Sequence, residues 1–184
     1  MKKINLFYIA GAVLIAVSAF LLVFNQRKTT AFYAHTEQTL AQIQQLMPPR
    51  KAAVEGQYTD AAMPVCEIDG VDYCALLEVK KLGEMLPVAD SWSSTDSASA
   101  RYKGSAYDGT MIIGGKSLGF VTQLDIGDKI TVTDILGGEF SYNVEKIDRV
   151  KELTEEKLSS EDYQLTVFSY IAKEKKYVVV RCGN

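Results

Sequence analysis

Residues 124–147 read LDIGDKITVTDILGGEFSYNVEKI, and their period is two. Ile130 and Val132 alternate with Lys129, Thr131 and Thr133; beyond Gly137-Gly138, Phe140, Tyr142 and Val144 alternate with Ser141, Asn143 and Glu145. Successive side chains on a strand point to opposite faces, so each run reads as a half-buried strand and the glycine pair as a hairpin turn. The same pattern extends to both sides, in YCALLEV (73–79), LPV (86–88), TMIIGG (110–115), LTVFSY (165–170) and YVVVRC (177–182), with a second turn signal at Asp69-Gly70. Beyond the N-terminal region, KELTEEKLSSED (151–162) is the one soluble helical pattern. Seven or more strands with one or two short helices in about 120 residues make an all-β domain, and closure into a barrel is the economical way to remove its sheet edges.

Upstream the grammar changes. Residues 6–24, LFYIAGAVLIAVSAFLLVF, form a stretch of 19 without a charge, long enough at ~1.5 Å per residue to cross a ~30 Å hydrocarbon core. The small-residue pattern at Val17-x-Ala19 is followed at once by FLLVF, which argues for an uncleaved anchor rather than a removed leader. Lys2 and Lys3 on one flank and Arg27 and Lys28 on the other balance the positive-inside count. Only five residues of this sequence precede the span, so the domain is expected after it. The expected organisation is an anchor helix over 1–28, a juxtamembrane helix and linker over 29–62 and a barrel domain over 63–184. Leu40, Ile43 and Met47 lie at helical spacing in the second segment, and Pro48-Pro49 ends it. The first 28 residues carry four basic and no acidic side chains, leaving 16 basic against 23 acidic and a net charge of −7 for the remainder. Such a surface does not suit nucleic acid.

The order of segments across residues 65–182 resembles the sortases, membrane-anchored cysteine transpeptidases. EIDGVDYCALLEVKKLGEMLPVADSW is similar to their IdG hairpin, first barrel strand, LPV and Trp. ARYKGSAYDGTMIIGGKS is similar to their Tyr-x-Gly-Ser segment and the apolar strand ending in Gly-His; LDIGDKITVTD and EFSYNVEKI resemble the next two strands, and YQLTVFSY the strand bearing the TLxTC nucleophile motif. The resemblance implies a sortase-like closed β-barrel preceded by a transmembrane helix, with the domain outside the cell of a Gram-positive-type envelope.

Sortase chemistry requires a Cys thiolate to attack a threonyl carbonyl of an LPxTG-like signal, a His to protonate the leaving amine and an Arg to stabilise the oxyanion. Aligned on the resemblance, this chain has Lys116 at the His position, Tyr170 at the Cys position and Tyr177 at the Arg position, a one-residue loop shift placing Lys176 there instead. A phenol with an ordinary pKa of ~10 is ~0.1% ionised at neutral pH, and a lysine ammonium is a proton donor rather than a base. Ser169, next to the nucleophile position, points to the opposite strand face and could pair with Lys116 only through a bulge. Cys182 reads as a small buried residue, and His35, the single histidine, as an exposed stalk residue. With one histidine there is no Cys/His constellation for a metal, and no cofactor is expected. Lys173, Lys175 and Lys176 read as a solvated loop.

An extracellular setting permits disulfides. In CEIDGVDYC a three-residue loop centred on Gly70 would set Cys66 opposite Cys74 for a cross-hairpin bridge, whereas a two-residue loop would set them on opposite faces. Both arrangements remain open at this point. The expected function is that of a catalytically inactive pseudo-sortase, a binding or assembly factor at the cell surface. Its groove of Lys116, Ser169, Tyr170, Lys176 and Tyr177 would take a sorting-signal peptide or a surface or pilin protein, with an active sortase as a further partner. The alternatives are a transpeptidase with non-standard residues and a purely structural anchored scaffold.

Overall fold

The computed structural model describes residues 6–53, 62–92, 99–159 and 162–184. The chain divides into two compact units, Met1–Gln38 and Thr39–Asn184. The helix α1 (Leu6–Leu46) accounts for the first unit, and its last turns belong to the second. In the first unit Val13, Leu14, Ile15, Val17, Phe20 and Leu21 are exposed. Ser18 donates its hydroxyl to the Leu14 carbonyl at 2.8 Å, so that polar side chain is satisfied within the helix. Among the described residues no helix is long and apolar enough to cross a membrane. Of the span expected at 6–24, the side chains of residues 6–10, 12 and 22–24 lie outside the described residues. His35 is exposed.

The second unit begins earlier than the boundary at Met63. Ile43, with Leu40 and Met47 beside it, packs on Ile68, Tyr73 and Leu76, as their helical spacing suggests. Among the described residues ten strands follow: β1 (Lys51–Ala52), β2 (Cys66–Ile68), β3 (Val71–Val79), β4 (Glu84–Ala89), β5 (Ala100–Lys103), β6 (Met111–Gly114), β7 (Lys129–Asp134), β8 (Gly138–Val150), β9 (Leu165–Ile171) and β10 (Lys176–Gly183). They are ordered β1-β8-β10-β9-β6-β5-β4-β3-β2, and β7 pairs with both β3 and β8. That second pairing closes β3 to β10 into a barrel of eight strands, with β1 and β2 outside the ring. β4 and β5 meet in parallel, as do β6 and β9.

Alternation decides what fills the barrel. Val167 of β9, Val178, Val180 and Cys182 of β10, Ile130 and Val132 of β7, and Tyr142 and Val144 of β8 point inward with Leu77, Val79 and Ile113. Each fully buried aliphatic side chain contributes about 1.5–3 kcal/mol. The β7–β8 turn is held by Asp134, whose carboxylate is fully buried and accepts from the Gly138 amide at 2.7 Å and the Tyr107 hydroxyl at 2.8 Å. Gly137, at φ +81°, supplies the left-handed residue that this turn requires.

One open question is decided here and one expectation is corrected. Cys66 pairs with Tyr73 and Ile68 with Val71, so the loop has two residues, Asp69 and Gly70, both at positive φ. Cys66 and Cys74 therefore occupy opposite faces, and all three cysteines are free thiols. The helix expected over 151–162 is a single turn, α2 (Glu155–Leu158), capped by Thr154, whose hydroxyl accepts from the Lys157 amide at 3.3 Å. Leu153 and Leu158 both reach the same apolar cluster. Side chains five apart diverge on a continuous helix, so burying both requires the helix to stay short. Residues 54–61 of the expected linker and 160–161 lie outside the described residues.

Candidate functional site

The outer face of β9 and β10 carries a ladder of three cross-strand pairs: Tyr170 with Tyr177, Phe168 with Val179, and Thr166 with Arg181. Its strand neighbours Val167, Val178 and Val180 point into the barrel, which fixes the outward parity of the ladder. The Tyr170 and Tyr177 rings lie with centroids 5.0 Å apart and planes at 58°, and Tyr170 remains 49% exposed. The register pairs Tyr177, not Lys176, with Tyr170; Lys176 faces Ile171 and takes the opposite parity. Lys176 is thus removed from the face that bears the tyrosines. Ser169 is removed as well: it is 1% exposed and donates its hydroxyl to the Gly115 carbonyl at 2.8 Å. Lys116 is exposed and stands at the N-terminal end of the 3₁₀ segment Ser117–Gln123. It follows β6 by two residues, where Gly114 pairs with Phe168. The structure therefore joins Tyr170 and Tyr177, sets Lys116 at the end of the adjoining strand pair, and turns Ser169 and Lys176 away.

Two further features of this face are weakly signalled in the sequence. Trp92 and Tyr102 meet Phe168 with ring centroids 5.5 and 5.8 Å away, and lie 5.6 Å from each other. This trio sits on the backbone of Gly114, where a Cβ would fall 2.3 Å from Phe168 and 2.7 Å from Trp92. Farther along, Arg181 is 9% exposed; its Nε donates to Asp148 at 3.3 Å, its Nη2 to the Lys157 carbonyl at 2.5 Å, and its guanidinium stacks 5.5 Å over Tyr163. Arg181 lies four residues beyond Tyr177, roughly 13 Å along the strand, and its Nε and Nη2 are engaged. It cannot serve an oxyanion at Tyr170.

The thiols are placed for packing. Burial pushes Cys74 and Cys182 up to about 12, and burial also raises Cys66, which is half-buried. Iodoacetamide at pH 8 should label Cys66 slowly and leave Cys74 and Cys182 untouched until denaturant is added, and a reductant should not change the mass. Labelling of Cys182 in the native chain would contradict this placement. An unfolded thiol titrates near ~8.5, so the folded chain holds the two buried protons more tightly. That stabilisation is complete below about pH 8.5 and is lost as pH rises towards 12, so urea midpoints should fall along that window. Among the described residues no group of three or more His, Cys, Asp or Glu side chains is arranged to hold a metal.

Compared with solved structures, the fold is sortase-like. The chain is 19% identical to sortase C1 from Streptococcus agalactiae, covering 63% of this chain and 69% of that one with a TM-score of 0.53. It is 20% identical to a Clostridium perfringens sortase D5 transpeptidase, covering 60% and 78% with a TM-score of 0.52. Sortase C from Clostridium perfringens SM101 gives 16% identity, 60% and 68% coverage and a TM-score of 0.50. At these identities the likeness concerns the fold alone. No family model matches the sequence, and no curated protein matches it.

Proposed function

We propose that this sortase-fold chain is a catalytically inactive, membrane-anchored binding or assembly factor at the outer cell surface. The reading is carried by the Tyr170–Tyr177 pair, two phenols in ring contact on the outer barrel face where the sequence resemblance aligns a nucleophilic Cys and an Arg. The three cysteines lie at β2, inside β3 and inside β10, and the one histidine belongs to α1. The uncharged segment 6–24 and the exposed apolar side chains from Val13 to Leu21 support the anchor. The partner on this reading is an extended sorting-signal peptide or the tail of a surface or pilin protein, gripped on the aromatic faces; an active sortase could share the complex.

Aromatic side chains bury large areas and recur as binding hot spots. Replacing Tyr170 and Tyr177 with alanine should therefore weaken peptide binding by about 1–3 kcal/mol, while the barrel stays folded because Tyr170 is half exposed. Lys116→Ala should matter for an anionic ligand alone, with an effect that fades in salt. Titration of the full chain with candidate tails decides it: equal affinity of parent and double variant would favour the scaffold reading. That rival draws on one observation, the burial of Leu158 against Phe168 and Val179 on the same face.

A further inference from the structure

The outer face of β10 continues onto its other neighbour, β8, with β10 and β9 between that strand and β6. Tyr177 pairs there with Val150, Val179 with Asp148, and Arg181 with Lys146. The last pair sets two cations directly opposite each other, which is destabilising unless an anion intervenes. Asp148 is that anion, and it serves both: its Oδ2 lies 3.1 Å from Lys146 Nζ and 3.3 Å from Arg181 Nε. One carboxylate thus answers two cations, and one of these, Arg181, is 9% exposed. A positive charge is left over where solvent screens it poorly.

Both cations line a cavity of about 350 Å³, together with the apolar Val150 and Val179 and with Glu156 and Lys157 of α2. Arg181 spends Nε on Asp148 and Nη2 on the Lys157 carbonyl; its Nη1 has no partner among the described residues. Lys157 Nζ donates to the Glu152 carbonyl at 3.3 Å and keeps further donors. Three cations against Asp148 and Glu156 leave this cavity a charge of +1, in a chain whose remainder beyond residue 28 carries −7. From this we infer that the cavity is a binding site for a phosphate monoester with a small apolar ester group. Guanidinium and ammonium groups hold phosphoryl oxygens through charge-assisted hydrogen bonds. A monoester offers three terminal oxygens, one each for Arg181 Nη1, Lys146 and Lys157, and is a dianion above its second pKa of about 6. Val150 and Val179 take the ester group, and Glu156 opposes the charge. The site makes no use of the Tyr170 ring, so this inference and the peptide reading stand or fall separately.

The test titrates the nitrogen-15-labelled full chain with phenyl phosphate at about pH 7.5 and follows the Arg181 Nε–H resonance and the backbone amides. Arg181 Nε–H and the amides of 146–150 and 179–181 should shift along one saturating curve. Lys146, Glu156 and Lys173 are all exposed, so their substitution leaves the barrel folded. Lys146→Gln should weaken binding by about 3-fold and Glu156→Gln should tighten it by about as much. Lys173→Gln, in the β9–β10 turn outside the cavity, should change nothing. Methyl phenyl phosphate, a diester with two terminal oxygens and one charge, should bind at least about 3-fold more weakly, and phenol should not bind. An Arg181 Nε–H resonance unmoved at about 20 mM phenyl phosphate would overturn the proposal. So would equal affinity of parent and Lys146→Gln, an equal loss from Lys173→Gln, or a diester that binds as tightly as the monoester.

Discussion

Mixed with an LPxTG-type peptide and an amine acceptor, the full chain should form no product above the uncatalysed rate, and Tyr170→Cys should leave it there. Loss of one principal catalytic group can cost on the order of 10⁴-fold in turnover, and here the resemblance aligns other residues with all three. The nearby substitutes are spent. Ser169 has given its hydroxyl to the Gly115 carbonyl inside the barrel, and burial pushes the Cys182 thiol up to about 12. A thiol restored alone at position 170, with an ordinary pKa of ~8.5, would be a few per cent thiolate at neutral pH and would lack a proton donor for the leaving amine. The triple change Lys116→His, Tyr170→Cys and Tyr177→Arg should do better, because Tyr170 and Tyr177 are direct cross-strand partners and Lys116 follows the strand that pairs with Phe168. Product detection by mass spectrometry checks both expectations. Parent turnover abolished by Ser169→Ala or Cys182→Ala would remove the inactive reading, and equal turnover of the single and triple variants would show the site misplaced.

The barrel was legible because alternation is a local property. Ile130, Val132, Tyr142 and Val144 declare their face within a few residues, and the structure buries all four. Whether Tyr177 or Lys176 stands opposite Tyr170 hung on a loop length in the sequence, and the strand register places Tyr177 there. What stayed hidden depended on loop geometry or on contacts between distant segments. The disulfide question turned on one residue in the Asp69-Gly70 loop, which composition does not settle. The KELTEEKLSSED segment has helical propensity, but tertiary burial of Leu153 and Leu158 overrides all but one turn. β1 and β5 escape pattern reading because strands of two and four residues are too short to show a period. Arg181 is one charge in an apolar strand, and its role in holding the Lys157 carbonyl requires the fold to be known.

Gly104→Ala should be the most damaging single-methyl addition in the barrel unit. Gly104 lies in the Tyr-x-Gly-Ser segment between β5 and β6, at φ +72°. A Cβ there would fall 2.0 Å from the Thr110 carbonyl oxygen and 2.5 Å from its carbon. That obstacle is backbone, and it is held in place: the Thr110 amide donates to the Ser105 carbonyl at 3.1 Å, and the Thr110 hydroxyl to Asp108 at 2.5 Å. Tyr107 within the same loop anchors to the buried Asp134. Left-handed backbone alone costs an alanine roughly 1–2 kcal/mol, and displacing the backbone of a residue held by its amide and hydroxyl adds a steric term of similar or larger size. A total of about 3 kcal/mol or more is a large share of a stability of about 5–15 kcal/mol, and should lower the melting temperature by about 10 °C or more. Gly70→Ala provides the control. Gly70 has φ +76°, yet nothing lies within 4 Å of its Cβ position, so it carries the conformational cost without the collision. Urea denaturation of the two variants against the parent separates the terms: Gly104→Ala should lose at least about twice as much stability as Gly70→Ala. Equal losses would show that the 104–110 loop gives way to a methyl group and does not hold the end of β5 against β6.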